Sequence, residues 1–301
     1  MSTALKVRNV AIFANPIAGR GRGKAIAGEI QAKLKESGTH ATAILEPPVL
    51  APAEVLMAAD AIIVIGGDGT VRAAVRRCLQ VRSEAPPVLL VPMGTANLMA
   101  RHFGIDWPEK EVAGRVVKAL SKGRIHKVDV GRANGDIFLL MAGIGIDATI
   151  VRELDRQRRG PIGYSSYILP GLWAAAHYQH ASLEVHVDGR LVFDSEPAVA
   201  FVGNVSEYGT GFSLLSKARP DDGLLDVCVI PAASLADLIQ HFLRAAAGEH
   251  LDTPGVVYVQ GKEIQIESTR PLPMQLDGDP AGYTPVQIDL LPTRLAFIVP
   301  N

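Results

Sequence analysis

Short apolar runs punctuate the first half of the chain, and most of them end in small or polar residues. Runs near 8–14, 40–46, 61–65 and 88–92 predict strands, with helical stretches near 22–37, 51–58, 70–80, 96–103 and 109–121 between them. In the stretch after Thr70, for example, Val71, Ala74, Val75 and Leu79 recur on one helical face. Such alternation specifies a parallel sheet covered by helices. Beyond residue 128 the pattern changes to short strands separated by turn residues, near 137–141, 183–187, 198–203, 225–230, 256–259, 263–267, 286–290 and 295–299. That half predicts a β-sandwich with helical insertions near 162–178 and 234–247, the second packing Leu235, Leu238, Ile239, Phe242 and Leu243 onto a core. The expected organisation is therefore an α/β domain at 1–127 and an all-β sandwich domain at 128–301.

The chemistry concentrates where the first-half strands end. Gly66-Gly67-Asp68-Gly69-Thr70 follows one strand, and Met93-Gly94-Thr95-Ala96-Asn97 follows another. Glycine reaches backbone angles closed to other residues and lets a ligand approach the main chain, so amides at a helix start can converge on phosphate. Two strand ends of one chemistry suggest neighbouring strands whose carboxyl edge holds a ligand. Asp68 would repel phosphate, so it either organises the loop or joins a Mg²⁺ network. After the first strand, residues 15–24 read as a flexible basic loop. It is not a Walker A loop, because the glycine spacing is one residue short and Ala25 stands where Mg²⁺ needs a hydroxyl. Gly143-Ile144-Gly145-Ile146-Asp147-Ala148 has the G-x-G-x-x-A form of a dinucleotide fingerprint. Without a βαβ unit around it or an acidic residue about 20 positions on, it reads as a tight turn.

Composition narrows the field. A chain of 301 residues, 48% hydrophobic, has material for two cores, and a net charge of −1 favours no nucleic-acid partner. Cys78 and Cys228 are too few for a disulfide framework, which suits a reducing cytoplasm. No apolar run approaches the roughly 20 residues of a transmembrane span. Four arginines between 152 and 159, followed by Tyr164, Tyr167, Leu172 and Trp173, suit either peripheral contact with an anionic membrane or an exposed helix followed by a core helix. Oligomeric state is not legible.

Asn15-Pro16, Gly66-Gly67-Asp68-Gly69-Thr70 and Pro92-Met93-Gly94-Thr95-Ala96-Asn97 with Ala100-Arg101 together resemble the diacylglycerol kinase catalytic-domain family. That family includes bacterial soluble lipid kinases and is related to sphingosine kinases and NAD kinases. The likeness continues in order through residues 127–131, 142–148, 219–227 and 275–279.

The resemblance implies an ATP- and Mg²⁺-dependent lipid kinase that phosphorylates a lipid hydroxyl at a membrane surface, with diacylglycerol the default substrate. It carries nucleotide binding to Asn15, Gly66, Gly67, Gly69, Thr70, Gly94, Thr95 and Asn97, and catalysis to Asp277 as proton acceptor, with Asp279 and Asp68. Read without it, Leu276-Asp277-Gly278-Asp279 also describes an Asp-Gly hairpin turn. The Asp222 side chain and Leu224 carbonyl are carried over as Mg²⁺ ligands, where the residues alone equally describe a turn. Arg101 and one of Arg158 or Arg159 match basic positions. Two departures stand out: Asp279 replaces the usual glutamate, and Leu98 stands where many members carry aspartate. With Leu98 unable to bind Mg²⁺, Asp68 or Asp129 would hold the ion, or the protein is a non-catalytic nucleotide or lipid sensor. A nucleotide kinase of the NAD kinase type is the other alternative, although the chain lacks the Asn-Glu pair that those enzymes use.

Overall fold

A computed structural model describes residues 7–157, 178, 180–208 and 212–301. It divides into two compact units, the first running to Val128 and taking back Thr293–Asn301, the second spanning Asp129–Pro292.

Strands and helices are numbered along the chain. The first unit holds β1 (Asn9–Ala14), β2 (His40–Ile44), β3 (Ala61–Gly66), β4 (Val88–Pro92), β5 (Arg124–Val128) and the last strand, β19 (Leu295–Val299), in the order β2-β1-β3-β4-β19-β5. Every pair is parallel except β19 with β5. All six residues of β3 are buried, as a strand covered on both faces requires. At about 1.5–3 kcal/mol for each buried branched side chain, the β3–β4 centre dominates the sheet. Four of the five β5 residues are exposed, so that strand adds little and forms an edge. Its lack of an apolar pattern is why the sequence does not announce it. Helices α1 (Ala18–Gly21), α2 (Gly23–Glu36), α3 (Ala53–Ala58), α4 (Asp68–Val81), α5 (Leu98–His102) and α6 (Val112–Lys122) complete the unit. The buried stripe of α2, Ala27, Ile30 and Leu34, keeps the helical spacing that predicts it.

The expected boundary at 128–301 therefore needs correction at its far end. Leu295–Val299 is not a sandwich strand; it pairs with β4 and β5 in the first sheet. An apolar run specifies a strand but not the sheet it joins.

The second unit is antiparallel. Its strands are β6 (Gly131–Ala133), β7 (Asp136–Phe138), β8 (Met141–Ile144), β9 (Ser182–Val187), β10 (Arg190–Gly203), β11 (Glu207–Tyr208), β12 (Phe212–Ser213), β13 (Leu225–Pro231), β14 (Val257–Gly261), β15 (Glu263–Ser268), β16 (Pro273–Leu276), β17 (Asp279–Tyr283) and β18 (Val286–Leu290). The long β10 belongs to both parts of this sandwich. Its first half pairs with β9, and its second half pairs with β8 and β13, with register shifts between Leu191 and Glu196 marking the change. The expected strand at 137–141 is two strands, β7 and β8.

Among the described residues, helix α7 (Ile146–Gln157) lies between β8 and β9, and helix α8 (Leu235–Ala247) lies between β13 and β14. The expected helix at 162–178 lies almost wholly outside the described residues, as do Tyr164, Tyr167, Leu172 and Trp173 of the candidate membrane surface. Within α8, Leu238 is half-buried, but Ile239 and Leu243 are 52% and 61% exposed, so those two do not pack on the core as expected. The apolar stripe is wider than the face the helix buries, on which Ala245 sits.

Candidate active site

At the carboxyl edge of the first sheet, β2 lies to one side of β1 and β3 to the other, so the strand order reverses between β1 and β3. Open α/β sheets bind ligands at such a point. Three segments leaving that edge are laced together there. The Asn15 amide donates to the Ile65 carbonyl at 3.1 Å, the Gly19 amide to Met93 at 3.2 Å, and the Met93 amide to Gly66 at 2.9 Å. The stretch after β1, expected as a flexible loop, is mostly helical in α1 and the start of α2.

None of Gly66, Gly67, Gly69 and Gly94 has a positive φ, and at Gly66, Gly67 and Gly94 crowding rather than backbone angle requires glycine. A Cβ on Gly94 would lie 2.5 Å from the Gly67 Cα and 2.8 Å from Asn97 Oδ1, and one on Gly66 would lie 2.6 Å from Thr70 Oγ1. The two glycine turns pack directly on each other. Asn97, at φ 50°, closes the second turn: its Oδ1 accepts the Gly94 amide at 2.8 Å, and its Nδ2 donates to the Gly94 carbonyl at 2.9 Å. Thr95 is exposed at the tip, and Gly69 and Thr70 lie in the first turn of α4.

Asp68 binds the neighbouring turn. Its carboxylate accepts the Leu98 amide at 3.0 Å and the Met99 amide at 3.2 Å, fixing the start of α5 from the start of α4. Burial pushes its pKa above the ordinary 3.8, and these amides pull part of the way back. Of the two roles foreseen for Asp68, organising the loop is the one these bonds perform. Leu98 is 9% exposed, so its side chain belongs to the core. Arg101 lies exposed in the last turn of α5, while Arg158 and Arg159 lie outside the described residues.

In the second unit Asp277 and Gly278 join β16 to β17, with φ of 50° and 86°. Two positive φ angles are what a two-residue type I′ hairpin needs. The Asp-Gly hairpin is therefore real, but its carboxylate does not simply face solvent. Asp277 Oδ1 accepts the amides of Leu140 at 2.8 Å and Met141 at 3.0 Å, and Oδ2 accepts that of Leu139 at 2.8 Å. The carboxylate is anchored to the start of β8. Asp279 follows as the half-buried first residue of β17.

Asp222 is exposed; its Oδ1 accepts the Leu224 amide at 3.1 Å, and Gln260 Nε2 lies 3.5 Å from Oδ2. Asp129 fixes that loop: Oδ2 accepts the Gly223 amide at 2.7 Å, and its own amide donates to Pro220 at 2.6 Å. Both bonds fix the loop that carries Asp222. Among the described residues no three His, Cys, Asp or Glu side chains gather as a metal cage. A cation at Asp222 would rest on one carboxylate, carbonyls such as that of Leu224, and water, a donor set that hard ions accept.

Two family models match the chain: "Diacylglycerol kinase catalytic domain" over residues 9–133 and "YegS C-terminal NAD kinase beta sandwich-like domain" over residues 141–299. The chain belongs to the diacylglycerol kinase catalytic-domain family. Among curated relatives, the diacylglycerol kinase of Bacillus subtilis is 25% identical over 300 residues, covering 98% of this chain and 97% of its own length. That of Staphylococcus aureus strain RF122 is 27% identical over 242 residues, covering 80% and 75%. A solved structure of a candidate diacylglycerol kinase from Bacillus anthracis superimposes with a TM-score of 0.78 at 26% identity, covering 99% of this chain and 97% of the other. As a member of this kinase family, the protein carries its two glycine turns on the catalytic-domain half and the Asp277 hairpin on the YegS-type half. Kinase chemistry and a lipid-kinase lineage follow from the family.

Gln275 and Asp147 fall within the motif stretches 275–279 and 142–148, where no local pattern assigns either a role. Both are buried polar side chains, at 1% and 5% exposure. Burial of polar groups in a strand and an adjoining helix turn is the signal, and only the structure displays it.

Proposed function

We propose that this protein is an ATP- and Mg²⁺-dependent lipid kinase that phosphorylates the free hydroxyl of diacylglycerol or a similar lipid while visiting a membrane surface from the cytoplasm. The observation that carries this reading is the interlocking of the 66–70 and 94–97 turns at the β1/β3 reversal, in a chain of this family. Asn15, Gly66, Gly67, Gly69, Thr70, Gly94, Thr95 and Asn97 would hold the triphosphate, whose terminal phosphoryl group is what the reaction transfers. Asp68 keeps the two turns in register. Asp222 and the Leu224 carbonyl would hold Mg²⁺, which neutralises charge in the second unit. Among the described residues no helix is long and apolar enough to cross a membrane.

Phosphoryl transfer asks mainly for alignment, charge neutralisation and an acceptor for the hydroxyl proton. Asp277 is the acceptor in this reading, held by three amides so that it need not search for its orientation, with Asp279 as the second carboxylate of the turn. Labelled phosphate offered from ATP to mixed lipid vesicles and to NAD separates the alternatives: label in lipid supports the reading, while label in NAD or in neither rejects it. Asp277→Asn is expected to abolish lipid phosphorylation with nucleotide affinity nearly unchanged. Residual activity above about a tenth of the parent removes Asp277 from the role, since a general base contributes roughly 10²-fold or more.

A further inference from the structure

Strand β8 runs between β10 and β16, with Gly143 opposite Phe201 on one side and Gln275 on the other. The space above Gly143 is occupied. A Cβ there would lie 1.9 Å from Asp147 Oδ2 and 2.7 Å from Gln275 Nε2. Glycine at this position is what admits the Asp147 carboxylate, which hangs from the first turn of α7.

The two buried polar side chains are joined. Gln275 Nε2 donates to Asp147 Oδ2 at 3.1 Å, and Gln275 Oε1 accepts the Gly278 amide at 2.7 Å. The amide of Gln275 is thereby oriented at both ends: its oxygen must face a backbone N–H, its nitrogen a carboxylate. A bonded path leads from α7 through Gln275 to the residue after Asp277. The helix itself lies against the β16–β17 hairpin, with the Arg152 guanidinium 4.7 Å from the centre of the Tyr283 ring.

An apolar pair would be cheaper to bury than an amide and a carboxylate. Their cost is rationalised by what they hold. Asp277 has a positive φ, a conformation that residues other than glycine hold at an energetic cost when the surroundings impose it. The three amides at its carboxylate fix one side of the turn, and Gln275 fixes the other at Gly278.

We propose that Asp147 and Gln275 are positioning residues: a buried brace that sets the orientation of the Asp277–Gly278 turn, with Gly143 as the gap that admits it. The kinetic half of this inference rests on the proposed role of Asp277, whereas the structural half does not. The test uses the full chain with Asp147→Ala, Asp147→Asn, Gln275→Met and Gly143→Ala. Diacylglycerol phosphorylation in phosphatidylglycerol-containing vesicles and hydrogen exchange at the Gly278 amide are measured on each.

Asp147→Ala and Gln275→Met are expected to lower kcat by about 10–100-fold, the scale of a small misplacement of a reacting group, with KM for ATP and lipid near the parent values. Exchange at Gly278 should rise by about tenfold, the factor for one typical hydrogen bond. Asp147→Asn keeps an oxygen for Gln275 and should recover most of both losses, which a requirement for charge would not allow. Gly143→Ala, which removes no bonding group but displaces the carboxylate, should behave like Asp147→Ala. If Gln275→Met fails to fold, the alanine and asparagine pair at Asp147 still decides. Unchanged exchange at Gly278 overturns the brace. Faster exchange with unchanged kcat overturns its role in positioning the reaction. A parent protein that phosphorylates no lipid sinks the proposed function and the kinetic half together, leaving the exchange result to judge the brace.

Discussion

At the scale of single residues, what a glycine is for depends on what surrounds it. Gly94 abuts Gly67, while Gly114, on α6, has nothing within 4 Å of where a Cβ would stand. Gly94→Ala should therefore cost about 1–3 kcal/mol in urea denaturation, as overpacking does. Gly114→Ala should instead stabilise by about 0.4–1 kcal/mol, because a helical alanine loses less entropy on folding. Equal effects at the two sites would remove crowding as the explanation. The sequence pointed to both glycine turns from their position at strand ends, but it suggested unusual backbone angles as the reason. Which atoms approach Gly94 depends on β3 and β4 being neighbours, a long-range fact that no local pattern contains. Asp68 shows the same limit. Its repulsion toward phosphate was legible, whereas its bonds to Leu98 and Met99 needed the fold.

At the scale of elements, legibility follows burial. Strands β1, β3 and β4 and helices α2 and α4 are readable because their apolar residues repeat with one period and meet a core. Strand β5 is mostly exposed and β17 carries Pro280 and Gly282, so neither shows the pattern that a buried strand needs. Helix α8 was foreseen at the right place but with too much of its surface buried. Its hold on the unit should depend on pH through His241. Burial lowers the pKa of that ring below 6.5, with nearby Arg244 and His250 acting the same way and Asp237 and the Pro231 carbonyl pulling against them. The unfolded chain thus takes up the proton first. Stability is full above about pH 6.5 and declines as the pH falls toward the folded value. Thermal unfolding of His241→Gln and the parent between about pH 7.5 and 5.5 should show the parent losing more on acidification; parallel curves would exclude His241 as the source.

For the whole molecule, the decisive feature is that the first unit is built from two separated stretches of chain. β19 sits between β4 and β5, and Phe297 and Ile298 within it are fully buried. A chain ending at Pro292 would leave β4 without that partner and strip β5 of the strand it pairs with in this sheet. Loss of cooperative unfolding in the first unit is the expected outcome, read by hydrogen exchange at β3 and β4, while exchange in the second unit's strands should stay close to that of the full chain. Retained protection across β4 would show that the last strand is dispensable. There is also a consequence in time. A ribosome making this protein finishes residues 129–292 before it reaches the strand that completes the first sheet, so the half with the glycine turns must wait, one position in its sheet unfilled, until the later-made half has already emerged.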